Sequence, residues 1–170
     1  MTRAIFPASF DPITCGHIDI ATRAARIFNE LIVGVYSRPQ KNTLFSVAER
    51  LALTKEALAH IPNIQVQEYS TLTVEFAKAC NASVIVRGLR VASDFEWELQ
   101  LSLMNRTLDT DIETICFMPS QQYAFLSSSM LKDIAKNDGP LKALAPDHVI
   151  KALKIKYNLH HSNGHSNNHY

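Results

Sequence analysis

The stretch of sequence that decides the fold is IFPASFDPITCGH, residues 5–17. It begins as a short apolar run, which is typical of a buried strand, and it ends where a helical pattern begins. Pro7 and Pro12 predict a break in regular structure between the two elements, and Gly16 permits a close approach to the backbone. The stretch therefore predicts a strand, an irregular connection and a helix.

This connection carries four polar side chains, Ser9, Asp11, Thr14 and His17. In an open parallel sheet, ligands bind outside the carboxyl ends of the strands, where such a connection lies. A helix that begins at His17 would direct free N–H groups and the positive end of its dipole into the crevice, which favours phosphate. The alternative is a plain turn in which Ser9 and Asp11 satisfy backbone donors. The dipole disfavours the positive form of His17, which argues for a functional position.

The composition predicts a single globular domain, because 170 residues with an apolar fraction of 46% can build one ordinary core. A net charge of +1 with no basic block disfavours nucleic acid or an anionic membrane as the main partner. No apolar run reaches the roughly 20 residues that span a bilayer, and the first residues lack a signal-peptide layout. Three widely spaced cysteines without a C-x-x-C pattern fit a reducing compartment. We therefore expect a cytoplasmic protein.

Short apolar runs alternate with helical patterns along the rest of the chain. The patterns predict strands at residues 4–6, 31–36, 64–67, 83–86 and 114–118. They predict helices at residues 17–30, 46–60, 72–80, 94–107 and 146–157, and a further helix from residue 126 that ends at Gly139-Pro140. Repeated strand–helix units favour right-handed parallel crossovers. The sequence therefore predicts an α/β fold, a single Rossmann-like doubly wound five-stranded parallel sheet with helices on both faces.

The helix predicted at residues 94–107 has two apolar stripes on nearly opposite sides. One stripe contains Phe95, Leu99 and Leu103, and the other contains Trp97, Leu101, Met104 and Leu108. Charged residues along this helix argue against full burial, so the pattern predicts a subunit interface. Residues 160–170 are rich in His, Asn and Ser, and we expect them to form a disordered tail after a domain that spans residues 1–159.

Cationic and hydroxyl side chains follow the later strands. Arg87 and Arg90 flank Gly88 directly after the fourth strand, and guanidinium groups suit bidentate phosphate binding. Serines occupy residues 127–129 ahead of a helix; a single serine is enough for a cap, so three hydroxyls favour a phosphate cradle. Lys41 lies on a polar loop and is either a further phosphate ligand or a solvated surface lysine.

Four segments, in chain order, resemble the phosphopantetheine adenylyltransferase family of the nucleotidyltransferase superfamily. They are SFDPITCGH (9–17), which contains a T-x-G-H signature, RGLR with DFE (87–96), MNR (104–106) and FLSSSMLK (125–132). Ser9 stands where this family most often has threonine, a change that keeps the hydroxyl. The resemblance extends from residue 3 to about residue 159 and does not include the tail.

This resemblance implies transfer of the AMP part of ATP to 4′-phosphopantetheine, giving dephospho-coenzyme A and pyrophosphate, by a cytoplasmic hexamer that uses Mg2+. It implies that His17 and Lys41 stabilise the transition state, and that Ser9, Lys41, Thr73 and Arg87 bind the acceptor. Thr73 stands where some relatives have an apolar residue, which leaves that contact open. The residues implied to bind ATP are Ser9, Phe10, His17, Gly88, Leu89, Arg90, Glu98, Tyr123, Ala124, Phe125, Leu126, Ser127, Ser128 and Ser129.

The chemistry of such a transfer matches the residue types. Attack of an acceptor phosphate on the α-phosphorus needs no covalent intermediate, so the protein mainly aligns two anions and neutralises the charge that accumulates. No general base and no carboxylate cluster is evident, so we expect Mg2+ to be held mostly by the triphosphate. Two alternatives stay open. One is a transferase for another acceptor, such as nicotinamide mononucleotide or glycerol phosphate, and the other is a nucleotide-binding module without turnover.

Overall fold

The structure, a computed structural model, describes residues 2–39, 42–90 and 92–158, with the side chains of residues 92 and 93 left aside. Its strands are β1 (Arg3–Ala8), β2 (Glu30–Tyr36), β3 (Ile64–Tyr69), β4 (Val84–Gly88) and β5 (Glu113–Phe117). Its helices are α1 (Cys15–Ile27), α2 (Val47–Leu58), α3 (Thr73–Ala79), α4 (Ala92–Leu108), α5 (Ser128–Lys136) and α6 (Asp147–Lys156). A 3-10 turn spans Gln121–Tyr123. Lys41 and the predicted tail lie outside the described residues.

The five strands form one parallel sheet in the order β3-β2-β1-β4-β5. The chain moves outward from β1 through β2 to β3, then returns to the other side of β1 for β4 and β5. The strand order therefore reverses between β1 and β4, and in an open α/β sheet this switch point opens a crevice at the carboxyl ends. The predicted doubly wound five-stranded fold is confirmed.

Alternate residues of the central strands feed two apolar cores, one on each face of the sheet. Phe6 and Val33 face a large core that includes residues of α1, α5 and α6. Ile5 and Ile32 face a smaller core, which includes Val74 and neighbouring residues of α3. Burial on both faces explains why β2 reads as one continuous apolar run rather than as an alternating one.

Two local predictions about the start of the chain are wrong. Pro7 does not break the structure but lies inside β1, opposite Gly34. β1 pairs with β4 at Ala4 and Ile5 and not at Pro7. Proline has no N–H to donate to a neighbouring strand, so its place in β1 removes no hydrogen bond between β1 and β4. The first helix ends at Ile27, not at residue 30, because Phe28 turns into extended backbone and enters the core.

The apolar faces of α1 and α4 also differ from simple amphipathic helices. Ile27, an apolar residue, is 67% exposed at the point where α1 ends. Both predicted stripes of α4 face outward, with Phe95, Trp97 and Leu103 each more than half exposed. Of the described helices, none is long and apolar enough to cross a membrane.

Candidate active site

Two adjoining cavities open at the carboxyl ends of the strands. The first, about 250 Å³, lies at the switch point between β1 and β4. It is lined by the N-terminal ends of α1 and α5, by the end of β4 and by the loop after β5, with Phe6, Pro7, Ala8, Thr14, Gly16, His17, Ile20, Arg87, Gly88, Arg90, Glu98, Pro119, Tyr123, Leu126, Ser127, Ser128 and Ser129. We call it the first cavity.

The second cavity, about 730 Å³, lies beside the first, beyond the ends of β1 and β2. It is lined by Ser9, Asp11, Tyr36, Pro39, Asn42, Thr43, Tyr69, Thr71, Leu72, Thr73, Trp97, Leu101, Ser128, Ser129 and Lys132. Ser128 and Ser129 line both cavities, so the two spaces meet at the start of α5. A ligand in one cavity can therefore reach a ligand in the other at that point.

His17 is fixed at the start of α1 by reciprocal hydrogen bonds with the N-cap residue Thr14. The His17 N–H donates to Thr14 Oγ1 at 3.3 Å, and the Thr14 N–H donates to His17 Nδ1 at 3.1 Å. Because Nδ1 accepts a backbone proton, the neutral imidazole carries its own proton on Nε2. Local capping geometry thus sets the tautomer and leaves Nε2–H as a donor for the first cavity.

The surroundings of His17 keep its ring neutral. Burial, followed by the positive charge of Arg90, lowers the pKa of His17 from 6.5 to about 4. The ring packs edge-on against Phe10 with 5.1 Å between centroids, and Phe10 in turn packs against Phe6. At neutral pH the first cavity therefore contains an uncharged, rigidly oriented hydrogen-bond donor at a helix N-terminus.

Arg87, at the end of β4, is held by two neighbours. Its Nε and Nη2 donate to the two carboxylate oxygens of Glu98, each at 2.7 Å, and its Nη1 donates to the Pro7 carbonyl at 3.0 Å. Burial disfavours the cation, but the hydrogen bonds and charge of Glu98 outweigh it and raise the pKa of Arg87. The guanidinium is therefore a permanent charge with a fixed direction along the wall of the first cavity.

Arg90 and the serines complete the first cavity. Arg90 Nε donates to Asp94 at 3.2 Å, and its Nη1 lies 3.4 Å from the Leu126 carbonyl. Ser127 is the N-cap of α5, since its Oγ accepts the Met130 N–H at 3.1 Å. Two helix N-termini thus face one cavity beside two arginines, which is an arrangement that suits an anion.

The Ser128 hydroxyl donates to the Pro12 carbonyl at 2.7 Å. Among the described residues, Ser129 is the serine of this trio whose hydroxyl makes no intramolecular hydrogen bond. The three hydroxyls therefore have different roles, and Ser129 can offer its hydroxyl directly to a ligand where the two cavities meet.

A buried polar cluster that the sequence did not indicate supports the second cavity. The Arg50 side chain, 1% exposed, donates to the carbonyls of Ser9, Tyr36 and Phe45, and burial lowers its pKa. The only sequence signal is that an arginine occupies a core-facing position of α2. By fixing three backbone segments, Arg50 determines the shape of the cavity floor.

Asp11 reinforces the same region. Its carboxylate accepts the N–H groups of Leu44 and Phe45, each at 3.0 Å, and pairs with Lys132 at 2.6 Å. It therefore joins the connection after β1 to the segment before α2 and to α5. This satisfies a carboxylate that is only 4% exposed.

The structure brings most of the predicted site residues together. The first cavity contains His17, Arg87, Gly88, Arg90, Glu98, Tyr123, Leu126 and residues 127–129. Ser9 and Thr73 line the second cavity, where Ser9 does not reach the first. The structure does not describe Lys41.

Four residues implied to bind ATP lie elsewhere in the described part of the chain. Phe10 is buried behind His17, Phe125 is 74% exposed, and neither Leu89 nor Ala124 lines the first or the second cavity. Thr14, Trp97 and Leu101 line the cavities without having been assigned to a ligand. The apolar stripe of α4 was the available signal for Trp97 and Leu101, but the sequence pattern alone assigned it to a subunit contact.

The carboxylates near the cavities are paired with cationic side chains, which limits their use as ligands for a magnesium ion. Glu98 uses both oxygens on Arg87, Asp94 pairs with Arg90, and Asp11 is satisfied as described. Within residues 2–39, 42–90 and 92–158, no group of three or more His, Cys, Asp or Glu side chains could hold a metal ion. The site therefore fits an ion that enters with its phosphate ligands rather than one held in a protein cage.

Comparison with known proteins agrees with this geometry. A Cytidylyltransferase-like family model matches residues 5–134. The fold is similar to that of a putative nicotinate-nucleotide adenylyltransferase from Vibrio parahaemolyticus, with a TM-score of 0.65 and 15% identity over 91% of this chain and 93% of that one. The open parallel sheet is thus that of a nucleotidyltransferase fold.

Closer relatives identify the family. A phosphopantetheine adenylyltransferase from Roseiflexus sp. (strain RS-1) is 50% identical over 92% of this chain and 98% of its own length. Proteins of the same name from Thermomicrobium roseum and Clostridium kluyveri are 49% and 47% identical, over 91% and 96% of this chain and 95% and 99% of their own lengths. The chain belongs to the phosphopantetheine adenylyltransferase family.

Proposed function

We propose that the protein transfers the adenylyl group of ATP to the phosphate of 4′-phosphopantetheine, forming dephospho-coenzyme A and pyrophosphate. An oxygen of the acceptor phosphate bonds to the α-phosphorus, and the bond from that phosphorus to the bridging oxygen breaks with its electron pair leaving on pyrophosphate. The observation that carries this proposal is the meeting of two cavities at Ser128 and Ser129. Two phosphorylated substrates could bind side by side there, with their phosphates in contact.

ATP suits the first cavity because its anion-binding groups converge there. The triphosphate would lie at the N-termini of α1 and α5, near Arg90 and the Nε2–H of His17. Tyr123 and Leu126 would contact the nucleoside, since they supply apolar surface on the other side of the cavity. Gly16 would leave the α1 N-terminus uncovered.

4′-Phosphopantetheine suits the second cavity, which is larger and has a mixed lining. Its extended arm combines amides with methylene groups, and the cavity offers Tyr36, Tyr69, Trp97 and Leu101 as apolar walls. Ser9 and Thr73 would donate to the polar groups of the acceptor. The acceptor phosphate would lie at the junction, where Arg87 and Lys41 are its proposed ligands.

The chain's own residues would accelerate the transfer by alignment and by charge stabilisation. Holding two anions in a reactive geometry can supply roughly 7–11 kcal/mol. The neutral His17 would donate from Nε2 to an oxygen of the α-phosphate as negative charge accumulates, with Lys41 donating beside it. Because Nδ1 is held by Thr14, the ring need not reorient during the reaction.

Magnesium would enter as part of the Mg·ATP substrate, held by phosphate oxygens and water because the nearby carboxylates are paired. It would supply charge neutralisation on the triphosphate. The outward apolar stripes of α4 support a homo-oligomer, and the family resemblance implies a hexamer in the cytoplasm.

The test is pyrophosphate release from ATP and Mg2+ with 4′-phosphopantetheine, nicotinamide mononucleotide or glycerol phosphate as the acceptor. We expect release with 4′-phosphopantetheine alone. Release with another acceptor only would keep the reaction class and overturn the substrate. ATP binding without release from any mixture would instead support a nucleotide-binding module.

A further inference from the structure

The chain between β5 and α5, residues 118–127, forms one wall of the first cavity, to which it contributes Pro119, Tyr123 and Leu126. We call it the β5–α5 segment. Its internal backbone bonds are short-range: the Tyr123 N–H donates to the Ser120 carbonyl at 2.8 Å, and the Leu126 N–H donates to the Tyr123 carbonyl at 3.0 Å. Such bonds shape a turn, but they do not fix where the turn lies against the rest of the protein.

Two side chains of α1 hold the β5–α5 segment from outside. Asp19 accepts the Ser120 N–H at 2.9 Å with one carboxylate oxygen and the Ser120 hydroxyl at 2.8 Å with the other. Arg23 Nη1 donates to the Met118 carbonyl at 2.6 Å and lies 3.4 Å from Asp19. The Arg23 guanidinium also lies 5.7 Å from the centre of the Phe117 ring, at the end of β5. We call Asp19 and Arg23 the α1 clamp.

Asp19 acts on the wall of the first cavity from behind it. Its side chain is 15% exposed, and it does not line the first cavity. With Ser120 and Tyr123 it lines a neighbouring cavity of about 430 Å³, so Tyr123 lies between the two spaces. Burial favours the neutral acid, but hydrogen bonds from Ser120 and Arg23 outweigh it and lower the pKa of Asp19. At neutral pH the carboxylate is therefore an anion that accepts bonds from the segment.

We infer that Asp19 is a positioning residue, which holds the β5–α5 segment against α1 and thereby sets in advance the wall that meets the nucleoside of ATP. The inference rests on the proposed function, since it takes ATP as the ligand of the first cavity. Asp19 lies two residues after His17 on the same helix, so the wall and the proposed phosphate donor are attached to one rigid element. Without the clamp, ATP would have to order the segment on binding, which lowers affinity.

The groups proposed to bind the triphosphate are held independently of the clamp. The His17 ring is fixed by Thr14, and the Arg90 guanidinium pairs with Asp94. Loss of the Asp19 carboxylate should therefore weaken contacts to the nucleoside and leave contacts to the phosphates in place. A ligand that has three phosphates but no nucleoside separates these two contributions.

Calorimetric titration of the full-length protein with ATP and with inorganic tripolyphosphate, each with Mg2+, tests the inference. For D19A we expect the Kd for ATP to rise about tenfold, and the Kd for tripolyphosphate to stay within about twofold. D19N should restore most of the affinity, because its amide can still bond to both Ser120 groups if the hydroxyl accepts instead of donating. Equal weakening of both ligands would overturn the inference, as would unchanged ATP affinity in a folded D19A.

Two further variants make the test specific. S120A removes the hydroxyl alone and should raise the Kd for ATP about threefold; in a D19A background it should have no further effect, because it acts through Asp19. An undiminished effect in that background would contradict the inference. E49A removes a carboxylate with similar contacts from α2, where Glu49 accepts the Ser46 N–H at 2.8 Å and pairs with Lys156 at 2.9 Å. It should leave both Kd values unchanged.

Hydrogen exchange measured by mass spectrometry tests the clamp without a ligand. We expect residues 118–127 to exchange faster in D19A than in the wild-type protein, and ATP to reduce this difference. Equal exchange in the two proteins would show that Asp19 does not hold the segment. If the wild-type protein bound ATP but released no pyrophosphate with any acceptor, the proposed function would fail, whereas the binding and exchange measurements would still test the clamp.

Discussion

The two cavities differ in how their walls are held. The first is built from the rigid parts of the fold, where helix N-termini and a strand end direct His17, Arg87, Ser127 and Ser128 inward through hydrogen bonds. The second is three times larger and is bounded on one side by α4, whose apolar side chains lie mostly outside the core. The comparison indicates that the side chains of the first cavity are fixed in advance, whereas the second cavity, which we propose for the acceptor, depends on a peripheral helix.

Removing the donor of the first cavity should have the largest effect. H17A deletes the Nε2–H, and we expect kcat to fall about 10²–10³-fold while KM for ATP changes little, because the bond strengthens only in the transition state. Initial-rate kinetics with both substrates would measure this. H17Q, which restores an amide donor, should recover part of the loss. A variant with normal kcat and a raised ATP KM would place His17 in substrate binding instead.

The orientation of that donor should matter less than its presence. T14V removes the cap hydroxyl of α1, and S46A removes the same type of cap from α2, away from the cavities. Each should cost about 1 kcal/mol of unfolding free energy. Only T14V should also reduce kcat, by roughly tenfold, because the hydroxyl that it removes also lies 3.0 Å from His17 Nδ1 and helps to hold the ring. Chemical denaturation and kinetics on both variants would show whether the two effects separate.

The wall of the second cavity should affect the acceptor alone. L101A removes a side chain that lines this cavity, whereas L103A removes an exposed one from the same helix. We expect L101A to raise KM for 4′-phosphopantetheine by about fivefold, since roughly 1 kcal/mol of apolar contact is lost, and to leave KM for ATP unchanged. Sedimentation of both variants controls for changes in assembly. An equal effect from L103A would argue against a local contact.

The smallest expected effect is the response of His17 to acid. With a folded pKa of about 4 against 6.5 for the unfolded chain, only the unfolded chain takes up this proton between those pH values. The contribution of His17 to stability therefore rises with pH through that window and is lost as the pH falls. In an NMR titration, the His17 ring can be identified by the signal that H17Q lacks. We expect this ring to be still neutral at pH 5. A titration midpoint near pH 6.5 would show that burial and Arg90 do not lower the pKa of His17.

The sequence predicted those parts of the molecule in which local pattern and tertiary structure agree. Continuous apolar runs such as that of β2 predicted the strands. The regular alternation of five such runs with helical patterns predicted the parallel sheet. The end of α1 was missed because Phe28 leaves the helix to fill the core, with neither glycine nor proline to mark the place. The residues of the first cavity that we propose to bind anions could be predicted because each follows directly after a strand or begins a helix.

The second cavity could not be predicted in this way, because it depends on contacts between distant segments. Trp97 and Leu101 reach it through the placement of α4, and Arg50 supports it from a position where periodicity predicts an apolar residue. The pairing of Arg87 with Glu98 joins a strand to a helix across eleven positions. A linear pattern places such residues on elements but does not specify how those elements pack.

Arg50 has a further consequence for the segment between β2 and α2. Its bonds to the Tyr36 and Phe45 carbonyls fix the chain on either side of residues 37–44, and Asp11 fixes the second end again through Leu44 and Phe45. The entropic cost of bringing the two ends of this segment together is therefore part of folding and does not add to the cost of binding a ligand. A ligand that contacts the described ends of this segment, at Pro39, Asn42 or Thr43, would meet backbone that folding has already fixed, which favours affinity without enlarging the site.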